Sequence, residues 1–182
     1  MKHQSSWLLG GAAIVLATTI GATASSPQAP GAKPAAKMSP ALAKNVGELT
    51  AAEEDEFSTA AEATIERVCI LCHPFENIIK TRRTVREWTE QVIAMSQRGA
   101  PGTEADFTLV NKYLTRYYGI VRVNTASAEE ISSVLGLPPK VATAVVEYRT
   151  ANGRFTDLAG LAKVEGVDKA KLEEQPEAIR FD

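Results

Sequence analysis

The chain holds two cysteines. They stand three residues apart in Cys69-Ile70-Leu71-Cys72, and His73 follows at once. On one helical turn, thiols at this spacing can add to the two vinyl groups along one porphyrin edge, and the adjacent imidazole can take the iron. This is the Cys-x-x-Cys-His attachment pattern of c-type haem, so the expected cofactor is one covalent haem c on Cys69, Cys72 and His73. A dithiol redox site would want a βαβ setting, and no strand pattern flanks the motif. A zinc site would want further ligands, but the only other histidine is His3. A plain disulfide leaves His73 without a role.

Axial ligation follows from the same count. His3 lies in an export segment, so His73 is the one histidine left after processing and methionine is expected opposite it. Met1 leaves with the signal and Met38 sits in a linker, while Met95 shares a helical stripe with Trp88. Met95 is the expected sixth ligand; gap-filling in a core is the other use of a methionine there.

The elements that position these residues announce themselves by their caps. Thr50-Ala-Ala-Glu53 and Thr84-Val-Arg-Glu87 are capping boxes, and Thr103-Glu-Ala-Asp106 starts a third helix. Phe57, Ala61, Ile65 and Val68 line the first helix. Val85, Trp88, Val92 and Met95 line the second, and Phe107, Val110, Leu114 and Tyr117 the third. Residues 1–24 read as a signal peptide: Lys2 precedes an apolar run from Trp7 to Ile20, and Ala22-Thr23-Ala24 is a small-residue cleavage site. The expected location is periplasmic, or membrane-anchored if the segment stays uncleaved. Residues 25–47 carry Pro27, Pro30, Pro34 and Pro40 among Ala, Ser and Lys, the composition of an extended linker.

CILCH, RRTVREW, WTEQVIAMSQRGA and DFTLVNKYLTRYYG together resemble the small monohaem cytochrome c domains found with periplasmic dehydrogenases. These include the haem-binding domain of quinohaemoprotein amine dehydrogenase. The resemblance covers about residues 55–119. It implies Met95 as distal ligand and places Arg82, Arg83 and Arg86 where a guanidinium could pair with a haem propionate.

Residues 120–182 repeat an αα-hairpin. Ser127-Ala-Glu-Glu130 caps a helix, Gly136-Leu137-Pro138-Pro139 turns the chain, and a second helix ends at Asn152-Gly153. Some 30 residues on, Leu158 and Leu161 precede Gly166-Val167-Asp168. The stretch is similar to the tandem helix-hairpin-helix domain of the competence DNA-uptake receptor family. In that family each turn reads Gly-hydrophobic-Gly and its backbone N–H groups cradle a phosphate. Here Pro138 and Asp168 replace the second glycines: proline has no N–H to donate, and the aspartate sets a negative charge where a phosphate would lie.

The expected fold is therefore all-α, with a haem domain at 48–119 and a tandem hairpin domain at 120–182. A 45% apolar chain can bury a core, while a net charge of −2 offers no general polyanion surface. The hairpin half has eight Lys/Arg against ten Asp/Glu, which makes DNA an unfavoured partner. These features give a periplasmic electron carrier, not an enzyme, with the hairpins as a docking module, whose partner is a dehydrogenase or another cytochrome. The alternative is a haem-containing DNA-binding or DNA-uptake protein. A peroxidase would want a distal acid/base pair, and no second histidine supplies one.

Overall fold

Four capping boxes set the frame. Thr50, Thr84, Thr103 and Ser127 each accept a hydrogen bond from the backbone N–H three residues on, and the side chains of Glu53, Glu87, Asp106 and Glu130 answer to the cap N–H. The computed structural model describes residues 40–182. The signal segment with His3, the greater part of the linker and Met38 lie outside the described residues.

In chain order the helices are α1 (Pro40–Ala43), α2 (Ala51–Val68), α3 (Phe75–Ile79), α4 (Val85–Gln97) and α5 (Glu104–Tyr118). They continue with α6 (Ala128–Leu135), α7 (Pro139–Asn152), α8 (Leu158–Leu161) and α9 (Lys169–Glu173). Two short strands, β1 (Val121–Arg122) and β2 (Ile179–Arg180), pair in parallel, with Val121 opposite Ile179. The fold is all-α. No described helix is long and apolar enough to cross a membrane.

Two apolar cores form. The first gathers Phe57, Ala61, Ile65, Trp88, Val92, Val110, Tyr113 and Leu114 from α2, α4 and α5. The second gathers Val123, Ile131, Val134, Leu135, Val145, Leu161 and Leu172 from the hairpins. The stripes expected on α2 and α4 are present, with Val85 half-buried against the hairpin core instead. On α5 the buried face is wider than expected: Leu109 and Tyr113 are buried and Tyr117 is only half-buried.

The end of the expected linker is structured. Pro40–Ala43 is helical and Val46–Glu48 forms a 3-10 turn whose Val46 is buried. The Lys112 ammonium donates to the carbonyl oxygens of Leu42 and Lys44 at 3.0 and 3.3 Å, which ties this segment to α5. Proline-rich composition hid an apolar contact that only the folded partner reveals.

Candidate functional site

Cys69 closes α2 as its C-terminal cap, and the chain then turns through Cys72 and His73 before α3. This turn, the body of α4 and the start of α5 enclose a mostly apolar cavity of about 420 Å³. Cys69, Cys72, His73 and Met95 all lie in its wall, with Val68, Val92, Phe107 and Leu114 supplying apolar surface. The four residues expected to hold and ligate a cofactor are thus brought to one space. Both thiols are free. Cys69 is half-buried, and desolvation pushes its thiol up from the ordinary value. The His73 Nδ1 lies 3.4 Å from the Pro74 carbonyl oxygen. With the proton on Nδ1, Nε2 keeps its lone pair for a metal. An apolar cavity bordered by two thiols, an imidazole and a thioether has the donor chemistry that a covalently held porphyrin requires. A bound haem would supply one iron, taken by the imidazole and the thioether, and the thiols would anchor its edge.

The arginines divide. Arg83 lines the cavity, donates to the Thr81 carbonyl oxygen at 2.9 Å and lies over the Trp88 ring at 4.9 Å. Arg82 turns away: it donates to the carbonyl oxygens of Tyr117 and Gly119 and pairs with Glu177 at 2.5 Å. Arg86 is exposed and pairs with Glu90 at 3.6 Å on the solvent face of α4. Neither Arg82 nor Arg86 is among the residues lining the cavity. Arg98, which sequence reasoning passed over, does line it. Its spacing, three residues after Met95, was the available signal.

The loop floor is held by an ion pair. Arg67 of α2 meets the Asp106 carboxylate at 2.7 and 3.3 Å, and Asp106 also accepts from the Thr103 N–H. Its carboxyl is held below the ordinary value, first by the Arg67 hydrogen bond. Among the described residues no group of three or more His, Cys, Asp or Glu could hold a bare metal ion.

In the hairpin unit the second turn packs against the start of α7. A methyl group on Gly166 would lie 2.8 Å from the Val141 side chain at the start of α7. Gly136 and Gly166 have φ of 64° and 84°, a left-handed turn that glycine adopts freely. Asp168 uses its own carboxylate to cap α9, accepting from the Ala170 N–H at 3.0 Å.

Residues 118–180 match the family described as helix-hairpin-helix motif. ComE operon protein 1 of Bacillus subtilis is 35% identical over 60 residues, covering 33% of this chain and 29% of that protein. An uncharacterized protein of Haemophilus influenzae is 40% identical over 62 residues, 34% of this chain and 55% of its own length. The endonuclease/exonuclease/phosphatase family domain-containing protein 1 of Homo sapiens is 41% identical over 54 residues, 30% of this chain and 10% of that protein. The chain thus spans less than two thirds of each of these relatives. No solved structure gives a significant match.

These matches place a helix-hairpin-helix domain in the C-terminal half and overturn the main expectation. The matched residues lie in the hairpin half, and they give the electron-carrier reading and its redox partner no support. The alternative, centred on the hairpin domain and DNA, is favoured, so the reading of DNA as an unfavoured partner is corrected as well. The acidic balance that led there is summed over the whole half.

Proposed function

We propose that the chain is a DNA-binding protein, of the kind used in DNA uptake, in which a tandem helix-hairpin-helix unit is carried on a helical unit that holds one covalent haem. The observation that carries this is the helix-hairpin-helix match over 118–180 on a structure that places a left-handed glycine at each of its two hairpin turns. Lys140, Lys163 and Lys171 are exposed near those turns and have no ion-pair partner among the described residues. The hairpin half is net acidic, so few phosphates are neutralised, binding is weak, and its salt slope is correspondingly shallow. The haem component rests on the donor set of the cavity, and export on the segment before it. Attachment through Cys69 and Cys72 would tie the cofactor to the helical unit at the end of α2.

The test is retardation of duplex DNA by the full chain across a salt series. A complex at about 0.02 M salt that fades towards about 0.15 M is expected. No complex at the lowest salt overturns the DNA reading. Intact mass after acidic acetone extraction checks the haem: a chain exported in a host that attaches haem, yet recovered at its apo mass, overturns that part.

A further inference from the structure

We propose that the consecutive pair Arg82–Arg83 is the joint through which the occupant of the cavity sets how firmly the hairpin unit is held, and hence how well it takes DNA. This rests on the haem and DNA readings above.

The two side chains point to different halves of the molecule. Arg83 lines the cavity and lies over the buried Trp88. Arg82 grips the passage to the hairpin unit at the Tyr117 and Gly119 carbonyl oxygens and reaches Glu177 just before β2. The backbone between them is zipped to that same passage. The Arg83 N–H donates to the Tyr118 carbonyl oxygen at 3.3 Å, and the Ile120 N–H donates to the Arg83 carbonyl oxygen at 2.8 Å. The Trp88 indole N–H also donates to the Tyr118 oxygen, at 3.0 Å. Tyr118, Gly119 and Ile120 carry the chain from the first core to the second, so each bond fixes one unit against the other.

Arg83 sends one guanidinium nitrogen to the Thr81 and Ile78 carbonyl oxygens. The rest of the fork is available to an anion at the cavity edge, such as a porphyrin carboxylate. An occupant that takes it removes rotamer freedom from Arg83, and the ordering cost of the backbone zipper falls accordingly. Coupling of this kind is reciprocal: whatever steadies the hairpin unit also steadies the cavity wall.

Amide hydrogen exchange on the full chain, prepared with and without attached haem, reads the joint directly. Loading should slow exchange at Ile120 by about tenfold, and Arg82→Gln should reduce that gain to less than about twofold while leaving the gain at Leu114 intact. In the loaded state Arg82→Gln should also lower affinity for duplex DNA at low salt by about fivefold. Equal slowing at Ile120 in both proteins overturns the joint and leaves the DNA reading standing. Absence of any DNA complex overturns the DNA reading, and the Ile120 result still decides the joint. Should the unloaded chain fail to fold, the loaded pair decides. Ile120 exchanging about tenfold faster in Arg82→Gln than in the unsubstituted chain supports the joint, and an unchanged rate overturns it.

Discussion

Gly47 lies so close to the first hairpin turn that a methyl group on it would sit 2.0 Å from the Leu137 carbonyl oxygen. The same turn is sealed from within, since the Ser132 hydroxyl lies 2.7 Å from that oxygen and 3.0 Å from the Asn45 side chain. The segment ahead of α2 is therefore part of the seam between the two cores. Gly47→Ala must push backbone against backbone, and the expected cost is about 1–3 kcal/mol. Thermal unfolding would show it as a lowered midpoint. A midpoint unchanged from the parent would mean that this segment detaches at little cost.

Asp106 joins α5 to α2 through Arg67 and is itself the capping-box carboxylate. Its carboxyl is held below the ordinary 3.8 by the Arg67 hydrogen bond. A carboxyl lowered by folding contributes stability above its unfolded value and loses that contribution as pH falls through the folded one. Asp106→Asn should therefore cost about 2 kcal/mol at neutral pH. The gap to the parent should begin to narrow below about pH 3.8 and close further down. Urea unfolding at pH 7 and pH 3 measures both numbers.

Much of this frame was legible in the sequence. All four boxes, at Thr50, Thr84, Thr103 and Ser127, sit where their residue types put them, because a cap is decided within four residues. The duplicated glycine turns were legible for the same reason. What the sequence hid was long-range. Arg82, Arg83 and Arg86 share one stretch of chain yet reach Glu177, the cavity and Glu90 respectively. A long flexible side chain takes its partner from tertiary packing, which periodicity does not report. Val46 was hidden likewise, its burial depending on a core formed by residues that follow it.

Met95 reaches the cavity wall with Cys69, Cys72 and His73, while Met38 lies outside the described residues. In the haem-loaded oxidised protein, Met95→Ala should abolish the weak near-infrared sulfur-to-iron band and open the iron to added imidazole. Met38→Ala should leave the band unchanged. The reverse pattern would place the sixth ligand in the N-terminal segment and make Met95 a packing residue.

The two hairpins differ in how much of their turn is free, and substitutions at equivalent positions should separate them. Pro138 has no N–H, but the Leu137 carbonyl beside it already faces Gly47, and a methyl group on Gly136 would meet Arg116 at 2.9 Å. Restoring an N–H with Pro138→Gly therefore opens no cradle, and DNA affinity at low salt should stay within about twofold of the parent. The second turn is different. Gly166 and Asp168 are exposed, and the Asp168 carboxylate caps the Ala170 N–H while setting a negative charge at the turn. Asp168→Asn keeps a capping oxygen and removes the charge. It should raise affinity for duplex DNA by about threefold to tenfold at low salt, because a phosphate no longer meets a fixed anion. Retardation titrations of the full chain at about 0.02 M salt compare the two. A gain from Pro138→Gly with none from Asp168→Asn would put the DNA on the first hairpin, and would require the Asn45–Gly47 segment to leave it on binding.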